Sequence, residues 1–209
     1  AFSSDGLAVL LSTDDGAVLF DTTTGLLLQT FSGHTLASYA VAISPDDSEV
    51  LTGSRDATAK LWDTLTGVEV RTFTGHVFEV DAVAFSPDGT KVLTGSYDHT
   101  AKLWNRLTGA EIHTFEHTDV VSSVAFSPDG TQILTGSWDD TAKLWRIGTD
   151  RGDDIRDFTL VADGLVPENL KSAIVRPEYF DVGYRTLELD AANDAAWHNV
   201  WRAFKAGGS

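Results

Sequence analysis

Three sets of side chains in this sequence combine an imidazole, a hydroxyl and a carboxylate at fixed spacing. Each set also contains a tryptophan, and the members are His34, Thr52, Asp56 and Trp62; His76, Thr94, Asp98 and Trp104; and His117, Thr135, Asp139 and Trp145. A hydroxyl nucleophile, an imidazole base and a carboxylate that orients the base are the groups of a hydrolase triad. Nucleophilic catalysis is therefore the first chemistry to consider.

The threefold repetition of this set argues against catalysis, because an enzyme seldom needs three equivalent sites. A buried indole N–H needs an acceptor, and a buried imidazole needs partners for both nitrogens. The same four groups can supply those partners to one another and favour one local geometry. We interpret the sets as structural, and we predict that the chain is not an enzyme, since no acid–base pair or nucleophile outside the sets supports one.

The residues around these sets form a repeat. The segments TGSRDATAKLWD, TGSYDHTAKLWN and TGSWDDTAKLWR end at Asp63, Asn105 and Arg146, and their tryptophans are 42 and 41 residues apart. A degenerate fourth copy opens the chain, with AFSSDG at 1–6 in place of AFSPDG and Phe20-Asp21 in place of Trp-Asp. Internal copies at this period indicate a repeat architecture.

Each period predicts four short β-strands separated by tight turns. In the second copy the strand-like runs are Tyr39–Ile43, Glu49–Thr52, Thr58–Trp62 and Val68–Phe73. Pro-Asp-Gly and Asp-rich clusters suit the turns between them. A period of about 40–45 residues with four strands, a Gly-His and a Trp-Asp is typical of a propeller blade.

With these motifs the chain resembles the WD-repeat β-propeller family, in particular bacterial-type members with highly similar repeats, over residues 1–161 and most closely over 33–146. The resemblance implies an all-β fold with four recognisable four-stranded blades of a partial or assembled ring, near 1–31, 34–73, 76–115 and 117–161. It also implies that in each set the Asp orients the His, and that the Thr links the His to the Trp indole.

Two copies depart from the pattern of the family. The first copy has Phe20 at the tryptophan position and no preceding His, so we expect its blade to be the weakest. In the last copy Glu116 replaces the Gly of Gly-His, which leaves the tightness of that turn open but not the blade.

The repeat ends after an expected outer strand at Ile155–Val161, and residues 162–209 are expected to form an extension with strands and a short helix. Residues 194–206 read as an amphipathic helix, because four apolar residues fall on one helical face: Trp197, Val200, Trp201 and Phe204. This apolar stripe either packs on the rest of the chain or docks on another chain, where its aromatic residues would be strong anchors.

Charge and composition limit the partners. The net charge of −16 argues against nucleic acid and anionic membranes, and it indicates a solvated, repulsive surface or, alternatively, a basic partner or bound cations. With no cysteine there is no disulfide or thiolate metal site. The Asp pairs lack the ligand spacing of a calcium loop, so we expect no cofactor and no metal. No apolar run approaches the roughly 20 residues that span a bilayer.

One residue varies inside the otherwise constant turns TGSRD, TGSYD and TGSWD: Arg55, Tyr97 and Trp138. These residue types dominate interface hot spots. WD-repeat proteins commonly bind through one face of the ring, and the resemblance adds to this face the positions beside the first strand: Ala37, Tyr39, Glu79, Asp81, Val120 and Ser122. Alternatively, these are ordinary exposed loop residues or residues packed across blade edges.

We therefore expect a non-enzymatic protein–protein interaction scaffold that uses a propeller face. The alternative is an extracellular or surface module that recognises glycan or stabilises a larger complex. Propellers usually close with four to eight blades, and a four-bladed ring would be unusual in this family. We accordingly expect a fragment of a larger protein, or other chains that complete or cover the open propeller, and not an isolated closed monomer.

Overall fold

The computed structural model describes residues 1–147 and 157–161, and in these residues all regular structure is β-sheet. The first sheet contains β1 (Ala8–Thr13), β2 (Gly16–Asp21) and β3 (Leu27–Ser32). The second contains β4 (Ser38–Ile43), β5 (Glu49–Ser54), β6 (Ala59–Asp63) and β7 (Glu69–Phe73). The third contains β8 (Val80–Phe85), β9 (Lys91–Ser96), β10 (Thr100–Asn105) and β11 (Glu111–Glu116), and the fourth contains β12 (Val121–Phe126), β13 (Gln132–Ser137), β14 (Thr141–Arg146) and β15 (Asp157–Val161).

Every sheet is an antiparallel meander with its strands in chain order. The predicted four-stranded blades are thus confirmed for the second, third and fourth copies. In the first copy β1, β2 and β3 correspond to the second, third and fourth strands of the other blades. The innermost strand is represented by a single antiparallel bridge between Phe2 and Val9.

The apolar cores lie between successive sheets. One side of each interface is built from the middle and outer strands of one sheet, and the other side comes from the next sheet. Between the second and third sheets the two sides are Leu51, Ala59, Leu61 and Phe73, and Val80, Val92 and Trp104. Equivalent clusters join the first sheet to the second and the third to the fourth. Because both faces of a middle sheet are covered, its strands are apolar on both faces rather than alternating.

The sheets follow one another side by side, with neighbouring innermost strands β4, β8 and β12 in contact. Within residues 1–147 and 157–161, the substantial contacts between sheets join successive sheets only. This arrangement is the arc of a β-propeller, and it confirms the predicted fold class.

Strand pairing in the fourth sheet shows a different register for its outer strand than the spacing of the sequence predicts. The spacing places Phe158 at the position of Phe73 and Phe115, but Ala142 is paired with Leu160, as Ala59 and Ala101 are paired with those two phenylalanines. The connection from β14 to β15 is therefore longer than the spacing of the phenylalanines indicates.

The predicted helix at 194–206 and the other elements expected after Val161 lie outside the described residues. In the part of the chain that the structure describes, no helix is long and apolar enough to cross a membrane.

Candidate interaction face

The three His, Thr, Asp and Trp sets form three separate hydrogen-bonded chains. In the second sheet the Trp62 indole Nε1 donates to Thr52 Oγ1 over 2.9 Å, and Thr52 Oγ1 lies 2.7 Å from His34 Nε2. His34 Nδ1 lies 2.9 Å from Asp56 Oδ2. The same three distances are 2.9, 2.7 and 2.7 Å in the third sheet and 2.9, 2.7 and 3.1 Å in the fourth.

The chemistry of these chains is that of a satisfied buried network. A carboxylate only accepts, so His34 Nδ1 carries the proton that is donated to Asp56, and Nε2 accepts from Thr52. Each of the three threonine side chains is 0% exposed, so the hydroxyl has no path to a substrate. The arrangement orders groups along a line but offers no accessible nucleophile.

In the second sheet the environment of the network determines its protonation. Burial lowers the pKa of His34, although Asp56 opposes this shift. Burial alone would raise the pKa of Asp56, yet hydrogen bonds from the Thr58 hydroxyl, the Thr35 N–H and His34 lower it to about 2. The carboxylate is therefore ionised and the imidazole neutral at pH 7.

The substitution at Glu116 does not remove the network of the fourth sheet. Gly33 and Gly75 have φ of 152° and 149°, and a Cβ at either position would lie 3.1–3.2 Å from the indole of Trp62 or Trp104. Glu116 instead is the last residue of β11, opposite Thr100, and its carbonyl accepts from the Lys143 ammonium. One residue separates Phe115 from His117, whereas two separate Phe73 from His76, so the chain reaches His117 by a shorter path. The His117 Nδ1 to Asp139 Oδ2 distance is the longest of the three.

Near the start of each complete innermost strand lies a β-bulge. The pairing passes from Ser38 to Ala40 on β4, so Tyr39 is the extra residue. Asp81 and Ser122 are the extra residues at the same point of β8 and β12. A bulge redirects a side chain and is common beside functional sites, so each blade presents one residue here that is not part of the ladder.

The residue opposite each bulge is a glycine, and in the second and third sheets the packing of the next blade accounts for it. A Cβ on Gly53 would lie 2.9 Å from the carbonyl oxygen and Cγ1 of Val80 in the next sheet. Gly95 makes the same approach to Val121. The constant Thr-Gly-Ser thus allows the start of one innermost strand to approach the neighbouring blade closely.

The turn residues that vary between copies lie beside these bulges. The backbone N–H groups of Arg55, Tyr97 and Trp138 donate to the carbonyls of Ala37, Glu79 and Val120, each over 2.9 Å. We call this end of the sheets the hairpin face; its residues are Tyr39, Arg55, Glu79, Asp81, Tyr97, Ser122 and Trp138.

Side chains of the hairpin face make contacts from one blade to the next. Arg55 Nε lies 3.4 Å from Glu79 Oε1, which joins the second and third blades. The rings of Tyr97 and Trp138 lie edge to face, with centroids 5.4 Å apart, which joins the third and fourth blades. These pairs show that all three varying positions contact an adjacent blade and also line the same surface.

Exposure separates the residues of this region. Tyr39 is 49% and Trp138 57% exposed, and Arg55 is also exposed. Glu79, Asp81, Tyr97 and Ser122 are half-buried. Val120, the residue before β12, was expected on this surface but is buried. The expectation for Val120 was therefore wrong.

Sequence reasoning did not identify three further apolar residues near this face. Leu36, Val77 and Phe78 are all exposed in the loops that lead into β4 and β8. The Val77 N–H donates to Asp98, and the Phe78 carbonyl accepts from Ser96, so this loop lies against the neighbouring hairpin. The sequence could have predicted them, because apolar residues that follow Gly-His lie in a loop and are not needed for the core.

No group of three or more His, Cys, Asp or Glu side chains that could hold a metal ion occurs in the described residues. The apolar stripe formed by Trp197, Val200, Trp201 and Phe204 lies outside the described residues.

Sheets of four antiparallel strands, packed side by side and each stabilised by the same polar network, define a β-propeller built from repeats. The family model described as "WD domain, G-beta repeat" matches residues 25–63, 67–105 and 109–146, together more than half of the chain. The chain belongs to the WD-repeat family. No curated protein matches its sequence. WD-repeat domains generally mediate protein–protein interaction and are generally non-enzymatic.

Proposed function

We propose that this chain is a non-enzymatic interaction scaffold that binds a protein partner through the hairpin face. The observation that carries the proposal is the variation at the bulge and turn positions of the hairpin face. The three complete blades keep the same network, glycine and strand order, whereas their bulge and turn positions hold residues as different as Tyr, Asp, Arg and Trp.

Aromatic exposure supports the choice of this face. Trp138 and Tyr39 are large side chains held by rigid strands and turns, so they lose little conformational entropy on binding. Tryptophan, tyrosine and arginine are the residue types enriched among interface hot spots. A partner that covers Trp138 and Tyr97 would bury an aromatic pair that the fold already holds in place.

The test uses the double variant Tyr97→Ala/Trp138→Ala as bait in affinity capture from the source organism. Proteins that bind the unmodified chain should be lost from this variant, while thermal unfolding should show that it folds. The matched control is Leu65→Ala/Leu107→Ala. These leucines are 87% and 79% exposed in turns at the opposite end of the sheets, so their removal should leave capture unchanged. Capture that survives the first change and fails after the second would contradict the choice of face.

We also infer that another chain covers the side of the first sheet that faces away from the second. Val9 pairs with Phe20 as Val50 pairs with Trp62, but Val9 and Phe20 are half-buried whereas Val50 and Trp62 are fully buried. Apolar residues at the equivalent side of a middle sheet are covered by the preceding blade. Light scattering should give a mass above that of one chain, and a monomeric mass at micromolar concentration would contradict the inference.

A further inference from the structure

We propose that the hairpin face recognises a protein segment that places a Lys or Arg side chain next to an apolar one, with the cation at Asp81 and the apolar group on Tyr97 and Trp138. This inference rests on the proposed function and adds the chemistry of the partner. The face combines a carboxylate with an aromatic surface, and the two features together define the partner.

The two carboxylates of the face are in different states. Glu79 already has a cation, because Arg55 Nε lies 3.4 Å from its Oε1. Asp81 has no hydrogen bond and no ion pair among the described residues. It is half-buried, and burial raises its pKa, with the charge of Glu79 adding to the effect. A carboxylate that has lost part of its hydration without gaining a cation favours a binding partner that supplies one.

Aromatic side chains lie close to this carboxylate. Tyr39 is the bulge residue of β4, and Asp81 is the bulge residue of the neighbouring strand β8. The Tyr97 N–H donates to the Glu79 carbonyl. Burial raises the pKa of Tyr97, and the charges of Asp81 and Glu79 and the nearby Tyr39 hydroxyl raise it further. A cation at Asp81 therefore has tyrosine rings within reach, and an aromatic face adds to the attraction of a carboxylate for Lys or Arg.

An apolar surface continues from these tyrosines. The Tyr97 ring contacts Trp138, and Phe78 is exposed in the loop next to the Tyr97 hairpin. An aliphatic or aromatic side chain next to the cation of the partner would lie on this surface. The hairpin face thus distinguishes a mixed basic and apolar segment from one that is only basic, which would leave Trp138 in water.

The charge of the whole chain favours the same partner. A net charge of −16 attracts a basic segment over long range and repels an acidic one. Long-range attraction raises the association rate, while contacts at Asp81 and Trp138 determine the complex that persists. The specificity is therefore expected to depend on Asp81, and the overall rate on the acidic surface.

The test begins with a random dodecapeptide library displayed on phage and selected on the full chain. Enriched peptides should contain Lys or Arg adjacent to an aromatic or aliphatic residue. The strongest peptide is then synthesised, together with a form in which its key basic residue is norleucine, and both affinities are measured by fluorescence polarisation. Loss of the charge should weaken binding to the unmodified chain about tenfold.

Asp81→Asn keeps the shape of the carboxyl and removes its charge, so this variant should bind the two peptides with nearly equal affinity. Glu116→Gln is the matched control: it removes an exposed acid on the edge strand β11, three strands away from Asp81 on β8, and should retain the tenfold preference. Enrichment without basic residues, no enrichment at all, or an undiminished preference in Asp81→Asn would overturn the inference. If Tyr97→Ala/Trp138→Ala loses the captured partner while Asp81→Asn keeps the preference for the basic peptide, the hairpin face remains the binding site. Only the proposal that Asp81 binds a cation would then be rejected.

Discussion

The first sheet buries the same kind of apolar side toward the next blade as the second and third sheets do, but it lacks the polar network that the three later sheets carry on their other side. Leu10, Ala17 and Phe31 of the first sheet are fully buried, as are Leu51, Ala59 and Phe73 of the second. On the other side, Leu11 takes the position of Thr52, since Leu11 pairs with Val18 as Thr52 pairs with Lys60. Leu11 is 48% exposed and Thr52 is 0% exposed.

This difference separates two contributions to blade structure. Apolar packing against the next blade is sufficient to order three strands, because the first sheet has it and lacks the network. The network acts on the side that faces the preceding blade, where it joins the loop before a blade to the middle strands of that blade. His34 comes from that loop, Thr52 from β5, Asp56 from the hairpin and Trp62 from β6.

The largest expected effect comes from the indole that serves both contributions. Trp104→Ala removes a buried donor to Thr94 and a ring packed against Phe73 and Leu61, so we expect a loss of about 3–5 kcal/mol in the free energy of unfolding. Phe20→Ala, at the equivalent position of the first sheet, should cost only about 1–2 kcal/mol, because Phe20 is half-buried.

Hydrogen exchange of single amides distinguishes the two changes. Trp104→Ala should reduce protection at Leu93 in the third sheet more than at Leu10 in the first, because repeats are stabilised mainly by their nearest neighbours. Equal losses of stability from Trp104→Ala and Phe20→Ala would show that the network side contributes nothing beyond apolar area.

His76→Ala tests the network itself. The change leaves Thr94 and Asp98 without their buried partner, and we expect a loss of about 1–3 kcal/mol. The control is His99→Asn, because His99 is exposed at a φ of 69° that asparagine tolerates. Thermal unfolding should show a clear decrease for the first variant and almost none for the second; no decrease for His76→Ala would contradict the structural role.

How much of this could be predicted from the sequence depends on the scale of the feature. The strands and the network residues could be predicted because the internal repeat shows each of their positions three times. The bulges at Tyr39 and Asp81 could not be predicted. A bulge adds one residue to a strand, and a run as short as Ser-Tyr-Ala-Val is too short to show the resulting change in alternation. The contact of Arg55 with Glu79 depends on how neighbouring blades pack, which no single repeat encodes.

Gly53→Ala tests the close approach between blades. The added Cβ would meet Val80 and Val83 at 2.9 Å, so we expect a loss of about 1–2 kcal/mol from overpacking. In the first sheet Ser12 pairs with Ala17 as Gly53 pairs with Ala59, and Ser12 is exposed. Ser12→Ala should therefore leave the denaturant midpoint unchanged, and a similar midpoint shift in both variants would argue against a tight contact at Gly53.

Acid should weaken the second sheet more than the first. Burial lowers the pKa of His34 in the folded chain below the ordinary value of 6.5. As the pH falls through 6.5, His34 therefore takes up a proton in the unfolded chain at a higher pH than in the folded chain, and the free energy of unfolding decreases. Asp56 has a folded pKa of about 2 against an ordinary 3.8, so its contribution is present above about pH 3.8 and is lost as the pH falls toward 2.

The expected loss from this acidification is smaller than that of His76→Ala, because the ring and its packing are retained. Titration of the His34 ring by NMR should give a pKa below 6.5. Amide exchange, corrected for its intrinsic pH dependence, should show protection of Leu51 declining on acidification before that of Leu10. Earlier loss at Leu10 would assign the acid sensitivity to other groups.

The smallest effect concerns the hairpins that hold the varying residues. Ala57, His99 and Asp140 have φ between 62° and 69°, whereas the shorter hairpin of the first sheet reaches Gly16 directly and contains no such residue. Alanine is disfavoured in this region by its Cβ, so Ala57→Gly should remove a cost of about 1–2 kcal/mol, partly offset by the greater entropy of glycine in the unfolded chain. We expect a net gain of about 0.5 kcal/mol in the free energy of unfolding. Ala110→Gly, at an exposed position without positive φ, should instead destabilise slightly, and a loss of stability in both variants would show that the turn at Ala57 is not strained.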